Sequence, residues 1–220
     1  MSPHRLVFRP ARVLAEAEPS RPFTYAALGA SDAVGVGADD PVREAWVALI
    51  FRQLPPGTRF LQLGVGGALA RHGLTRQVPR AEAARPQLAT VWLGVNDFNT
   101  RVALATYARH LRRILVRLVR AGARVFVGNL PDLTNVPAFA GFPPDQLLAR
   151  LLDWNRTIAE IARTTGAQLV DLMVASGGAD SASLVAADGF HPSTQGHRVL
   201  SEVFWAEIAA DPTLSSLIGA

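Results

Sequence analysis

The chain has 220 residues, a formal net charge of +4 and no cysteine. This length suits one domain with a full hydrophobic core. The absence of cysteine excludes disulfides, thiolate nucleophiles and cysteine-ligated metals. All 22 basic residues are arginine, which excludes a P-loop lysine, a Schiff-base lysine and a lysine general base.

The domain plan follows from where regular patterns begin and end. We expect an N-terminal arm at residues 1–22, a single folded domain at 23–212 and a C-terminal tail at 213–220. Charged residues interrupt the first 20 positions, so no secretory leader is predicted. No stretch approaches the roughly 20 apolar residues of a membrane helix. We therefore expect a cytoplasmic protein without an integral membrane segment.

The predicted elements alternate between strands and helices along the chain. In order, they are a strand at 25–28, a helix at 41–54, a strand at 59–63, a short helix at 68–71, a strand at 88–93, a helix at 102–121, a strand at 124–127, a helix at 144–165, a strand at 168–172 and a helix at 193–209. Gly122 and Gly166 follow two of the helices, as C′ glycines do. Such alternation predicts an α/β domain with a five-stranded parallel sheet covered on both faces.

One helix carries a basic stripe opposite its apolar face. The pattern favours a solvated helix face over a phosphate-binding surface, and we expect no nucleic-acid partner. The stripe consists of Arg109, Arg112, Arg113, Arg117 and Arg120.

Ser31 is the candidate nucleophile. It lies three residues after the apolar strand that ends at Leu28, and Gly29 allows the backbone to turn tightly there. Position 33 is Ala, so this is not the Gly-x-Ser-x-Gly elbow of α/β-hydrolases. An ordinary serine at a turn or a helix N-cap is the alternative interpretation.

His191 is the candidate general base, and Asp188 is its candidate partner. The two residues are three apart in a predicted loop, so the carboxylate is able to orient the imidazole and stabilise its charged form. A loop aspartate and a capping histidine would give the same pattern. The other histidines, which lie in the arm or in predicted helices, are His4, His72, His110 and His197.

Gly67 and Asn96 are the candidate oxyanion donors. Each follows a predicted strand, and the carboxyl ends of parallel strands share one edge of the sheet. A backbone N–H and a side-chain amide there would stabilise a developing negative charge. Asn96-Asp97 is also a common turn pair. The glycines at 64–67 do not form a dinucleotide motif, because Leu69 occupies its third glycine position.

The four segments together resemble the blocks of the SGNH hydrolases, also called the GDSL esterase/lipase family. The closest matches to that pattern are Gly94-Val95-Asn96-Asp97 and Asp188-Gly189-Phe190-His191-Pro192. Two departures stand out. Ala30 precedes the serine where the family has Asp, and Gln62 with Gly66-Gly67 replaces an Asn with a Ser-Gly pair, which leaves Gly66 as an alternative oxyanion donor.

The resemblance implies a three-layer αβα sandwich with a flavodoxin-like sheet and a catalytic domain at 23–212. It also implies a triad of Ser31, Asp188 and His191, with oxyanion donors at Ser31, Gly67 and Asn96. Residues and resemblance together predict hydrolysis of short- to medium-chain acyl or aryl esters, with a small-molecule ester as the substrate and with no cofactor and no metal. A lysophospholipase, a thioesterase, a sugar O-deacetylase and a non-catalytic binding protein remain alternatives, and the oligomeric state is open.

Overall fold

A computed structural model describes residues 22–176 and 181–219 of the chain. At its centre is a five-stranded sheet in the order β2-β1-β3-β4-β5, and every pairing is parallel. The strands are β1 (Thr24–Leu28), β2 (Arg59–Gln62), β3 (Leu88–Val91), β4 (Arg124–Gly128) and β5 (Gln168–Val170). The predicted α/β class and parallel sheet are confirmed.

Helices connect the strands and cover both faces of the sheet. They are α1 (Ser31–Val34), α2 (Pro41–Glu44), α3 (Trp46–Phe51), α4 (Ala70–His72), α5 (Val78–Ala84), α6 (Val95–Asn99), α7 (Leu104–Arg120), α8 (Pro144–Thr165), α9 (Leu172–Ser176), α10 (Ser181–Leu184), α11 (Thr194–Ala210) and α12 (Pro212–Ile218). A π-helical turn (Gly73–Gln77) links α4 to α5, and a 3-10 turn (Pro137–Phe139) precedes α8.

Two hydrophobic cores lie on opposite faces of the sheet, because neighbouring residues of a strand point to opposite sides. In β1, Ala26 and Leu28 join the core with α7 and α8, whereas Tyr25 and Ala27 join the core with α3 and α11. Strands β1, β3 and β4 are buried on both sides, as their apolar runs predicted, whereas the edge strands β2 and β5 are partly exposed. The result is the predicted three-layer αβα sandwich.

The long helices end where their sequences predicted. Helix α7 stops one residue before Ala121, and Gly122 follows with φ +93°. Helix α8 likewise ends at Gly166, which has φ +79°. A left-handed residue at this position closes the last turn without a Cβ clash.

Several stretches differ from the sequence prediction: the short helices α1, α6, α9 and α10 were not predicted, and two larger differences follow. The predicted helix at 41–54 breaks at Ala45, which has ψ 135°. The break frees the Trp46 backbone N–H to bond His197 Nδ1 at 3.3 Å. No element was predicted over residues 72–87, yet the chain forms the π-helical turn and α5 there, with Gly73 packed against Leu93.

The predicted N-terminal arm and C-terminal tail differ in how much of each the structure describes. Residues 1–21 of the predicted arm lie outside the described residues. Most of the predicted tail forms α12, whose residue Leu214 is fully buried. No helix in the described ranges is long and apolar enough to cross a membrane.

Candidate active site

Ser31, His191 and Asp188 form a continuous hydrogen-bonded chain. Ser31 Oγ lies 2.9 Å from His191 Nε2, and His191 Nδ1 lies 2.6 Å from Asp188 Oδ2. The sequence separation between Ser31 and His191 is 160 residues, so only the fold brings them together. With Nδ1–H donating to the carboxylate, Nε2 is free to accept the serine proton.

The loop that carries Asp188 and His191 is held by its own backbone. Asp188 Oδ1 accepts the N–H groups of Phe190 and His191 at 2.9 and 3.0 Å. The hydrogen bond from His191, followed by these backbone N–H groups, lowers the pKa of Asp188 to about 2. Gly189 reaches φ +72° at the tip of the loop, and its carbonyl accepts the Ala138 N–H at 3.0 Å. The carboxyl group is therefore ionised near neutral pH and fixed in place.

Ser31 is the first residue of α1, directly after the turn that leaves β1. Its backbone N–H has no acceptor within the helix, because the first N–H groups of a helix have no carbonyl one turn before them. Asp32 supports the turn from inside. Its Oδ1 accepts the Ala30 N–H at 3.2 Å, and its Oδ2 accepts the Trp46 indole N–H at 2.9 Å. Burial raises the pKa of Asp32 to about 6.

His197 is fully buried behind this turn and has both ring nitrogens engaged. Nδ1 accepts the Trp46 backbone N–H, so Nε2 carries the proton and donates to the Val36 carbonyl at 3.1 Å. Burial lowers the pKa of His197, which keeps the ring neutral. It packs and anchors the region rather than exchanging protons with a substrate.

Asn96 contacts the loop that carries Gly67. Asn96 Nδ2 donates to the Ala68 carbonyl at 3.1 Å, which leaves its second N–H for another acceptor. Gly67 has φ +71°, and its N–H makes no hydrogen bond within the described part of the chain. The Gly66 N–H likewise makes no hydrogen bond among the described residues, so the choice of Gly67 over Gly66 stays a prediction.

Asp97 also connects the segment that carries Asn96 to the segment that follows Gly67. Its Oδ2 accepts the Ala70 N–H at 2.8 Å, while Oδ1 has no partner among the described residues. The side chain is fully buried, and burial raises the pKa of Asp97 to about 6.

An apolar cavity of about 150 Å³ opens beside Ser31, Asn96 and His191. It extends between the carboxyl edge of the sheet and helices α9 and α11. The rest of its lining is mainly aliphatic and aromatic, and its polar side chains are those of Ser31, Asp32, Asn96, Asp132, Ser176 and His191. The apolar lining includes Trp92, Leu172, Ala175, Leu200 and Val203. The walls suit a hydrocarbon group rather than a polar one.

His72 and His110 do not line this cavity. His72 Nδ1 accepts the Leu69 N–H at 3.1 Å. Burial and neighbouring arginines lower the pKa values of His72 and His110. His4 lies outside the described residues. Within the described ranges, no group of three or more His, Asp or Glu side chains is placed to hold a metal ion.

Several supporting residues were not predicted from the sequence. Trp46 anchors Asp32, and the 3-10 turn at Pro137–Phe139 braces Gly189. Gln77 bonds the backbone of Gly29. Of these residues, only Asp32 stood out in the sequence. It follows Ser31, whereas the acidic residue of the GDSL pattern precedes the serine. The others are long-range contacts that no local pattern marks.

The sequence matches the model of the GDSL-like lipase/acylhydrolase family over residues 27–199. A search of curated protein sequences finds no match. Among solved structures, the chain resembles TesA with a TM-score of 0.70 at 24% identity, over 84% of this chain and 97% of that one. It also resembles Axe2, an acetylxylan esterase from Geobacillus stearothermophilus, with a TM-score of 0.69 at 20% identity, over 86% and 95%.

A third similar structure is the lipase Lip_vut3 from a goat rumen metagenome, with a TM-score of 0.66 at 17% identity, over 84% of this chain and 96% of that one. Two of the matched Axe2 structures are catalytic mutants in which alanine replaces a histidine or a serine. At these identities the likenesses show a shared fold, while the family match spans most of the sequence. The chain therefore belongs to the GDSL-like lipase/acylhydrolase family and is a carboxylic ester hydrolase of the SGNH type.

Proposed function

We propose that Ser31, His191 and Asp188 form a catalytic triad that hydrolyses carboxylic esters through an acyl-enzyme. Ser31 Oγ attacks the ester carbonyl carbon while His191 Nε2 accepts the hydroxyl proton. The tetrahedral intermediate then collapses, the C–O bond to the alcohol breaks, and His191 returns the proton to the leaving alcohol. The observation that carries the proposal is the unbroken set of hydrogen bonds from Ser31 to Asp188.

The second half of the cycle uses the same groups. A water molecule gives a proton to His191 as its oxygen attacks the acyl carbon. The bond to Ser31 Oγ then breaks, Ser31 recovers its proton from His191, and the carboxylic acid leaves. Asp188 stays ionised throughout, because its lowered pKa and its backbone hydrogen bonds favour the charged form.

Charge on the carbonyl oxygen is stabilised by donors from three loops in this proposal. They are the Ser31 N–H, the Gly67 N–H and the second N–H of Asn96. The bond from Asn96 to the Ala68 carbonyl supports this grouping, because it fixes the amide next to the glycine loop. Donors held in this way need no rearrangement when the negative charge develops.

The size and apolar lining of the cavity support the proposal that it binds a short- to medium-chain acyl or aryl group of the substrate. An apolar cavity of about 150 Å³ is large enough for a benzene ring, or about six carbons. Each methylene group buried there should contribute about 0.8 kcal/mol. The apolar lining favours esters with longer acyl groups or with aryl groups over acetyl esters.

Turnover of p-nitrophenyl butyrate by the wild type and by Ser31→Ala tests the proposal. The wild type should hydrolyse the ester, and the variant should lose at least about 10³-fold in kcat. Covalent labelling by an aryl phosphonate, followed by peptide mass mapping, should place the label on Ser31. Equal turnover by the two proteins, or a label on another residue, would remove Ser31 from the mechanism.

A further inference from the structure

Gln77 grips the backbone of Gly29, two residues before Ser31. Its Oε1 accepts the Gly29 N–H at 3.1 Å, and its Nε2 donates to the Gly29 carbonyl at 2.9 Å. The side chain comes from the last residue of the π-helical turn and is 2% exposed. π-helical turns inside α-helices often occur near functional sites, because they redirect one side chain.

The amide replaces backbone pairing at the point where the sheet ends. Strand β2 stops at Gln62, and Gly29 lies just beyond the last residue of β1. The Gly29 carbonyl also accepts the Val65 N–H at a longer 3.3 Å. One carbonyl therefore joins the turn that carries Ser31, the loop that carries Gly67, and Gln77.

The turn around Gly29 has little room to move in other directions. A Cβ on Gly29 would lie 2.6 Å from the Ala33 Cβ, so the backbone of the turn rests directly on α1. If Gln77 released its two hydrogen bonds, a displacement of Gly29 would pass directly into α1, whose first residue is Ser31. Misplacement of a reacting group by about 1 Å costs on the order of 10²-fold in rate.

We infer that Gln77 is a positioning residue for ester hydrolysis, which aligns the Ser31 turn with the glycine loop of the oxyanion site. This inference rests on the proposed function of Ser31. Gln77 does not line the cavity and therefore acts only through Gly29. Its loss should lower kcat and leave KM nearly unchanged, since the groups that bind the acyl chain are elsewhere.

Asn155 provides a matched comparison in the same fold. Its Oδ1 accepts the Leu130 N–H at 2.9 Å, and its Nδ2 donates to the Leu130 carbonyl at 2.8 Å. Both amides are buried and each grips one backbone residue. Leu130, however, leads into Pro131 and Leu133, which line the cavity. Loss of this second grip should raise KM, because it loosens a wall that binds substrate and transition state alike.

The test compares Gln77→Met and Asn155→Leu, which remove the hydrogen bonds at nearly constant volume. Steady-state kinetics with p-nitrophenyl butyrate should show kcat lowered by about 10- to 100-fold with KM within about threefold for Gln77→Met. Asn155→Leu should raise KM by a larger factor than it lowers kcat. Circular dichroism spectra and unfolding midpoints establish that both variants are folded.

If Gln77→Met does not fold, Gln77→Leu gives the same comparison, because it also removes both hydrogen bonds and introduces no buried charge. A folded Gln77 variant with kcat within threefold of the wild type would overturn the inference. It would also be overturned if the Gln77 and Asn155 variants changed kcat and KM in the same proportions. Failure of the proposed function is seen separately, because the wild type would then match Ser31→Ala.

Discussion

Replacement of Asp97 by Asn measures what it costs to bury a carboxyl group beside Asn96. Asp97 is fully buried, and only its Oδ2 has a partner among the described residues, the Ala70 N–H. Burial raises the pKa of this group from 3.8 to about 6. Asn has nearly the same shape, its Oδ1 is able to accept the same N–H, and it does not ionise.

The sign of the effect follows from proton binding. Because the folded-state pKa lies above the unfolded-state value, the folded protein binds more protons between about pH 4 and pH 6. The free energy of unfolding therefore falls as pH rises through this window. A shift of about two pKa units corresponds to roughly 3 kcal/mol. Asp97→Asn should thus be more stable than the wild type above pH 6 by up to about 3 kcal/mol, with a smaller difference near pH 4.

Urea unfolding of both proteins at about pH 4.5 and pH 7.5 measures this difference, provided that the m-values agree. Asp39→Asn is the control, because the Asp39 side chain is exposed and the variant makes the same chemical change at the surface. If Asp97→Asn changed the free energy of unfolding equally at both pH values, an ionised, unpaired carboxylate would not be the cause of the instability.

Two further substitutions test the proposed mechanism. Asp188→Asn retains an acceptor for the Phe190 and His191 N–H groups but disfavours the required His191 tautomer, so kcat should fall by about 10⁴-fold. A fall of less than tenfold would argue against that role. Asn96→Ala should lower kcat by about 10²–10³-fold through loss of an oxyanion donor. Pre-steady-state acylation rates would check it, and an unchanged rate would assign Asn96 to loop packing alone.

The candidate reacting groups could be proposed from the sequence because their chemistry and their order along the chain are local properties. Ser31, Asn96 and His191 each follow or precede a regular element, and a parallel sheet brings the ends of its strands to one edge. The spacing of Asp188 and His191 also implied contact, since a turn joins residues three apart. The strand assignments followed equally from continuous apolar runs.

The groups that support the site were not readable in this way. Gln77 lies 48 residues from Gly29, and His197 lies 151 residues from Trp46. Contacts of this kind depend on how two layers of the fold pack and leave no period in the sequence. Ala45 illustrates the limit: its neighbours predict a continuous helix, and a tertiary hydrogen bond to Trp46 accompanies the break. Packing thus overrides local propensity at the places that hold Ser31.

The inner wall of the cavity offers a direct test of acyl selectivity. Gly196 and Val203 of α11 both line the cavity, and they lie about 10 Å apart along the helix axis. If the acyl chain binds in the part of the cavity between these two residues, kcat/KM should rise by about fourfold per methylene from acetate to hexanoate esters. Val203→Phe should reduce the hexanoate-to-acetate ratio by shortening the space. Val174→Phe, on the exposed side of α9 at 74% exposure, adds the same ring outside the cavity. Equal ratios in the two variants would mean that the acyl chain binds elsewhere.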